Sequence, residues 1–205
     1  MTKLYLYARF ERFWHWTQAG LIIWLMITGF EIHGEYELLG FGRAVQIHTL
    51  LAWALMVLWV FAIFWHLTTG AFRHYLPSNP LPQCAKSLAE VARYYALGTF
   101  LGEKHPFRKS VEAKHNPLQR MAYLLFFATL VAPVIWVSGL AYLFYPQWQG
   151  QGPGWLSLGT VAIVHTAAAF GMLIFFIAHV YMATMGKTVF SLIRGMITGY
   201  EEVEH

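Results

Sequence analysis

The chain has 205 residues, of which 58% are hydrophobic and only 12% are charged. A soluble domain carries about 25% charged residues, so the composition argues against a water-soluble globular protein. The formal charge of +4 comes from basic residues clustered in a few segments, and it does not indicate nucleic-acid binding. A single cysteine, Cys84, excludes an internal disulfide and a cysteine-ligated cluster.

Long stretches without Lys, Arg, Asp or Glu predict membrane spans. These stretches lie between Arg12 and Glu31, between Arg43 and Arg73, and between Arg120 and Lys187. A helix that crosses a bilayer needs about 20 mostly apolar residues. The first two stretches each hold one span, and the third holds two, separated by a turn-rich break at 146–154. We therefore predict an all-α integral membrane four-helix bundle in one domain, 1–205, with spans at about 13–32, 44–68, 119–145 and 156–184.

Basic residues predict the orientation of these spans. They precede the first span, fill the loop at 70–117 and follow the last span, whereas the other two loops carry one basic residue or none. Loops rich in Lys and Arg stay on the cytoplasmic side. Both termini and the 70–117 loop are therefore predicted to be cytoplasmic. Within that loop, residues 87–100 are predicted to form an amphipathic helix at the membrane interface.

Five of the ten histidines lie in or at the edges of the predicted spans. Ionisable residues inside a membrane are costly and usually mark a functional site. Two of them, His165 and His179, are 14 residues apart, so they share one face of span 4 and lie about 21 Å apart along its axis. The five histidines are His15, His48, His66, His165 and His179.

The alternating direction of the spans places these histidines at two depths. His48 opens span 2 on the outer side, level with His165, and His15 opens span 1 on the inner side, level with His179. Two imidazoles that face each other at one depth can bind a haem iron from both sides. Two such pairs predict two haems, which are non-covalent because the sequence lacks Cys-x-x-Cys-His.

Other interpretations of the histidines fit less well or stay open. A closed zinc site uses four ligands, whereas each depth offers two or three His and no Cys. A proton relay would use intramembrane Asp or Glu, and the charge-free stretches contain none. His66 lies 18 residues after His48, five turns along the same face, and could replace His15 or His179. Small residues such as Gly29 and Gly139 fit either close approach of a flat macrocycle or ordinary helix packing.

Several stretches resemble a known family. The chain is similar to the cytochrome b (gamma) subunit of respiratory formate dehydrogenases, and more loosely to the cytochrome b subunits of nickel–iron hydrogenases and thiosulfate reductases. The 14-residue spacing of His165 and His179 is the most specific element of this resemblance. The matching stretches are 9–17, 42–48, 114–120, 163–183 and 191–199.

The resemblance implies the same two ligand pairs and favours them over His66. It also implies a quinone site beside the inner haem at the start of span 3. Asn116 and Gln119 match the family's polar residues there, and His115 stands where some members carry Tyr. A second interpretation of Asn116-Pro117 is a helix start, with Asn as the cap and Pro in the first turn.

The predicted function is a di-haem cytochrome b subunit that carries electrons between a partner and menaquinone or ubiquinone in the bacterial inner membrane. The resemblance implies an iron–sulfur or c-type cytochrome partner subunit and a catalytic oxidoreductase subunit that holds the substrate-oxidising site. A homo-oligomer of that complex in the lipid bilayer is a further expectation, and nucleic acid is not an expected partner. The alternative is a free-standing small di-haem cytochrome b that oxidises superoxide or ascorbate.

Overall fold

The structure, a computed structural model, describes residues 2–76, 81–107, 109–111, 113–151, 153 and 156–203. The chain divides into two compact units. Unit 1 contains Met1–His74, Ser110–Glu112 and Ser191–His205, and unit 2 contains Tyr75–Lys109 and Ala113–Phe190. The single domain expected from the sequence stays a prediction.

Helices make up most of both units. In chain order they are α1 (Arg9–Ile32), α2 (Phe41–Thr69), α3 (Leu81–Arg93), α4 (Pro117–Met121), α5 (Ala132–Leu143), α6 (Tyr145–Trp148), α7 (Leu158–Thr184) and α8 (Ser191–Thr198). A π-helical segment, Ala122–Val131, joins α4 and α5 into one long helix, Pro117–Leu143, which we call helix S3. A 3₁₀ turn covers Ala71–Tyr75 and a π-helical turn covers Tyr94–Gly98. Two strands, β1 (Thr2–Tyr5) and β2 (Tyr200–Val203), pair antiparallel.

Three of these helices, α2, S3 and α7, are long and apolar enough to cross a membrane, judged by length and composition. They correspond to the spans predicted at 44–68, 119–145 and 156–184. The first predicted span, 13–32, lies within α1, which is one unbroken helix but carries more polar and charged side chains and is not among the three. The four-helix bundle and the cytoplasmic location of the termini therefore stay predictions.

In unit 1, α1 and α2 form an antiparallel hairpin. The ring of Phe10, near the start of α1, lies 5.1 Å from that of Trp65, near the end of α2. The turn between the helices is organised by Glu31, which is only 4% exposed. Its Oε1 accepts the backbone N–H groups of three consecutive residues just before α2: Leu38, Leu39 and Gly40. One carboxylate thus satisfies the donors at this turn and fixes where α2 begins relative to α1.

We expect Glu31→Ala to lower the thermal unfolding midpoint of the detergent-solubilised protein, because three backbone donors lose their shared acceptor. Glu31→Gln keeps an acceptor oxygen but loses the charge, so its midpoint should fall between wild type and Glu31→Ala. The exposed Glu35 on the same turn supplies the control, and Glu35→Ala should unfold like wild type. Equal midpoints for the two alanine variants would contradict the anchoring role.

In unit 2, the amphipathic segment predicted at 87–100 is a helix of two parts, α3 and the π-helical turn at Tyr94–Gly98. Its apolar side packs on protein: Val91 and Tyr95 are 2% and 7% exposed and cluster with Met182 of α7. The part of this side formed by Val91 and Tyr95 is therefore covered by the end of α7, whereas Leu97 and Phe100 stay exposed.

The chain after this turn is tied back by polar contacts. Arg93 donates two hydrogen bonds to the Glu103 carboxylate, at 2.8 and 2.7 Å, and these bonds lower the pKa of Glu103. Nε2 of His105 lies 3.3 Å from the hydroxyl of Tyr95. Burial of the His105 ring lowers its pKa, with the nearby charge of Lys109 acting in the same direction.

A lowered pKa means that folded His105 binds a proton less readily than it does in the unfolded chain. Its contribution to stability is therefore complete above the pKa of an unfolded histidine, about 6.5, and is lost as the pH falls below that value. We expect the unfolding midpoint to drop between about pH 7 and pH 5, and His105→Gln to weaken this dependence. The exposed His33 is the control. If His33→Gln and His105→Gln change the pH profile equally, burial of His105 is not the cause.

Candidate functional site

His48 is held against α1 by two neighbouring residues. It lies on α2, seven residues after the first residue, Phe41, and its Nδ1 is 2.9 Å from Oγ1 of Thr28. Thr28 is fully buried. A Cβ at the next residue, Gly29, would lie 3.6 Å from Cε1 of the ring. The hydroxyl thus meets one ring nitrogen while the glycine leaves room for the ring edge.

His165 is held in the same way in unit 2. It lies on α7, seven residues after the first residue, Leu158, and its Nδ1 is 3.0 Å from Oγ of Ser138 on helix S3. A Cβ at Gly139 would lie 3.1 Å from Cε1 of the ring. We call each of these arrangements, Thr28-Gly29 beneath His48 and Ser138-Gly139 beneath His165, a histidine seat.

The carbonyls beside the two hydroxyls indicate which nitrogen of each imidazole carries a hydrogen. Oγ1 of Thr28 lies 2.9 Å from the carbonyl oxygen of Trp24, and Oγ of Ser138 lies 2.6 Å from that of Val134. A carbonyl only accepts, so the single hydroxyl hydrogen lies in that bond and the hydroxyl must accept at its imidazole contact. Nδ1 of each seated ring therefore carries the hydrogen. In the neutral ring, this tautomer leaves the lone pair on Nε2, the nitrogen through which such a ring binds a metal ion or haem iron.

His179 has a different partner. It lies on α7, and its Nδ1 is 3.4 Å from the hydroxyl of Tyr123 on helix S3. The ring of Phe175, one turn earlier, stacks on the imidazole at a centroid distance of 5.9 Å and an angle of 12°. The phenol contact is longer than either seat contact, so His179 is held more by ring packing than by its hydrogen bond.

Two histidines in unit 1, His15 and His66, are the alternatives predicted as partner of His179. Nδ1 of His66 lies 2.7 Å from the carbonyl oxygen of Ala62, which makes Nδ1 the donor, as in the two seats. The ring of His15 packs edge-on against Trp16 at 5.1 Å. Both remain candidates. Among the described residues, no group of three or more His, Cys, Asp or Glu side chains gathers as a metal site of that kind would require.

Asn116 and Gln119, predicted at the quinone site, form a reciprocal cap at the start of helix S3. Oδ1 of Asn116 accepts the Gln119 N–H at 2.8 Å, and Oε1 of Gln119 accepts the Asn116 N–H at 3.1 Å. Nδ2 of Asn116 donates to the hydroxyl of Tyr95 at 3.2 Å, and the residue is 1% exposed. The interpretation of Asn116-Pro117 as a helix start is confirmed. Direct contact of either side chain with a quinone stays a prediction.

His115, the third residue predicted there, belongs to an aromatic cluster in unit 2. Its ring lies 5.0 Å from that of Tyr75 and meets Tyr123 edge-on at 5.4 Å. Because Tyr123 also contacts His179, a continuous row of three rings joins His115 to the predicted inner ligand.

The sequence alone does not point to Thr28, Ser138 or Tyr123, and it relates Gly29 and Gly139 only to a macrocycle or to helix packing. The two glycines in fact face imidazole rings. A usable signal was present in the sequence: a hydroxyl residue followed by glycine near the end of one apolar stretch, with a histidine early in the next.

Comparison with known proteins gives a match along almost the whole chain. The family described as prokaryotic cytochrome b561 matches residues 6–199. A cytochrome of Escherichia coli (strain K12) named YdhU is 32% identical over an alignment that covers 97% of this chain and 74% of that protein. No solved structure matches this chain with the statistical significance that these relatives reach.

Two further relatives carry hydrogenase names. A protein of Cupriavidus necator named as a Ni/Fe-hydrogenase B-type cytochrome subunit is 30% identical over 96% of this chain and 86% of its own length. A protein of Azotobacter chroococcum with the same name is 29% identical over 97% of this chain and 88% of its own length. They agree with the hydrogenase part of the resemblance. The closer resemblance, to formate dehydrogenase subunits, stays a prediction.

The two seats differ in how tightly glycine meets the ring, which allows a graded test. A Cβ at 139 would press on the His165 ring at 3.1 Å, whereas one at 29 would make an ordinary contact at 3.6 Å with His48. We expect Gly139→Ala to displace its imidazole and lower bound haem per polypeptide more than Gly29→Ala. Gly20→Ala is the control, since a Cβ there has no atom within 4 Å among the described residues. The reverse order of haem loss would contradict the seat geometry.

Proposed function

The chain belongs to the prokaryotic cytochrome b561 family, and we propose that it is a di-haem membrane cytochrome b subunit that carries electrons between a partner oxidoreductase subunit and the quinone pool. Membership as a b-type cytochrome implies haem b. The pair of histidine seats supports the proposal most directly, because each seat holds its imidazole through Nδ1, as haem-ligating histidines are commonly held. Haem b supplies one-electron redox chemistry when bound, and the protein supplies its ligands and surroundings.

In this proposal His48 and His165 hold the outer haem, and His15 and His179 hold the inner one. The outer pair is supported by register, since each of its members lies seven residues after the first residue of its helix. It is supported again by the matched seats. The inner pair rests on the resemblance and on the position of His179 four turns further along α7, with His66 as the competing ligand.

We expect two non-covalent haems b per chain. A pyridine haemochrome assay should give two haems per polypeptide, and acid–acetone should extract both. His48→Ala or His165→Ala should remove the outer haem, and His179→Ala or His15→Ala the inner one, because each loses an axial ligand. His66→Ala should keep both.

A stoichiometry of one haem, or haem that resists extraction, would contradict the proposal. If His66→Ala loses a haem while His15→Ala keeps two, then His66 is the inner ligand. Each variant is compared with wild type for folding by its thermal unfolding midpoint, since loss of a ligand also leaves a cavity.

We place the quinone, menaquinone or ubiquinone, at the start of helix S3, which the charge pattern puts on the cytoplasmic side. His115 and Gln119 are the proposed contacts, and Asn116 acts mainly by capping the helix that carries them. The row of rings from His115 through Tyr123 to His179 supports this location, because it joins the helix start to a proposed ligand of the inner haem. A reduced quinone needs protons, and a cytoplasmic site would supply them from that side.

Gln119→Glu separates capping from quinone contact. The carboxylate keeps an oxygen for the Asn116 N–H, while the amide donor is lost. We expect haem reoxidation by added quinone to slow by a few-fold to about tenfold, as one lost hydrogen bond predicts, at full haem content. The matched control is Gln147→Glu, which adds the same charge at an exposed residue of α6.

Unchanged reoxidation in Gln119→Glu would place the quinone elsewhere. The place to test next is an apolar groove of about 390 Å³ between helix S3 and α7, which Ser138 also lines. Its lining includes Pro133, Val137, Ala141 and Val164.

The names of two relatives favour a subunit of a larger complex over the free-standing cytochrome. We propose an iron–sulfur or c-type cytochrome partner subunit and a catalytic subunit, assembled in the bacterial inner membrane. Mild detergent extraction followed by identification of co-purifying polypeptides tests this. A nickel–iron or molybdopterin subunit supports the proposal, and a homogeneous lone cytochrome supports the alternative that oxidises a small reductant.

A further inference from the structure

We propose that Thr28 and Ser138 are matched positioning residues that hold His48 and His165 in the iron-binding tautomer and strengthen both as ligands of one haem. The inference rests on the proposed outer ligand pair and adds two residues to it. Neither hydroxyl touches iron in this proposal, and each acts only through the imidazole that it holds.

The two seats have the same construction although they belong to different units. The hydroxyl-to-Nδ1 distances are 2.9 Å for Thr28 and 3.0 Å for Ser138. Each hydroxyl also bonds the carbonyl four residues earlier in its own helix, and each is followed by a glycine that faces the ring. Independent recurrence of hydroxyl, glycine and histidine in this geometry points to a shared task.

Ordinary packing does not account for the seats. A Ser or Thr in an apolar helix commonly bonds the carbonyl four residues back and needs no other partner. Thr68 and Thr129 are such residues: their hydroxyls lie 2.8 and 2.6 Å from the carbonyl oxygens of Phe64 and Leu125. Both are exposed, whereas Thr28 and Ser138 are 0% and 5% exposed and reach an imidazole as well.

The seat hydroxyl has two effects on its ligand. It accepts the Nδ1 hydrogen, so the tautomer with hydrogen on Nε2, which cannot bind iron, is disfavoured. By accepting this hydrogen bond, the hydroxyl also increases the negative charge on the imidazole. Nε2 therefore becomes more basic, and the ferric state of the bound haem is favoured. Loss of the hydroxyl should therefore weaken haem retention and raise the midpoint potential of the haem concerned.

The test uses the holo protein with Thr28→Val and Ser138→Ala, which remove the hydroxyl with little change in shape. Haem transfer to an excess of a haem-scavenging apoprotein measures retention, and a spectroelectrochemical titration measures both midpoint potentials. We expect one haem to dissociate about 10-fold or more faster, in line with the loss of such outer hydrogen bonds, and its potential to rise in both variants. The other haem should not change.

Matched controls separate this effect from the loss of a helix hydroxyl. Thr68→Val and Thr129→Val remove the same backbone hydrogen bond without a seated histidine, and both should behave like wild type. Thr28→Ser and Ser138→Thr keep the hydroxyl and should restore retention and potential, which a general loss of stability would not allow.

Three results would overturn the proposal, and they are distinguishable. If His48→Ala and His165→Ala lose a haem while Thr28→Val and Ser138→Ala match their controls, the ligand pair stands and the positioning role fails. If Thr28→Val changes one haem and Ser138→Ala the other, the residues do not serve a common haem. If both histidine variants keep two haems, the proposed ligand pair fails and the positioning role fails with it.

Discussion

An imidazole among apolar helices has two ring nitrogens, and both need a partner because an unpaired buried polar group is costly. A bound iron would satisfy Nε2, so the protein must satisfy Nδ1. For His48, His165, His179 and His66 a group of the chain itself lies beside Nδ1: respectively the hydroxyls of Thr28 and Ser138, the phenol of Tyr123 and the carbonyl of Ala62. The partner chosen for Nδ1 decides which tautomer is present. It therefore decides which ring nitrogen is left to bind a metal.

The rest of each unit determines which residue of a neighbouring helix lies opposite each of these partners. In unit 1, Glu31 fixes the turn before α2, and that turn sets which residue of α2 lies opposite Thr28. In unit 2, a π-helical segment occupies the middle of helix S3, just before Pro133, which has no N–H to donate. Hydrogen bonds in a π-helix span one residue more than in an α-helix, so Tyr123 in the π-helical segment and Ser138 in α5 are directed by different local geometries.

The loop between α2 and helix S3 is more than a connection. Its amphipathic segment buries Val91 and Tyr95 against Met182 of α7, and the hydroxyl of Tyr95 receives the amide of Asn116. The start of helix S3 and the end of α7 are thereby held by the same segment. The proposed quinone contacts thus lie on a cap braced by the loop, so disturbance of the loop would alter the site without touching its residues.

The sequence by itself determined the three long apolar helices, the placement of His165 and His179 on one of them, and the Asn116 cap. Each depends on a property of a single segment. These properties are about 20 apolar residues for a span, a rise of 1.5 Å per residue for the spacing along a helix, and a capping pattern within one turn. Only the tertiary structure decided that Thr28 holds His48 and that Ser138 holds His165. Those contacts join different helices, and they depend on how each helix is rotated about its axis and where the Glu31 turn and the π-helical segment set its register. No single segment encodes that rotation, because packing between two helices creates it.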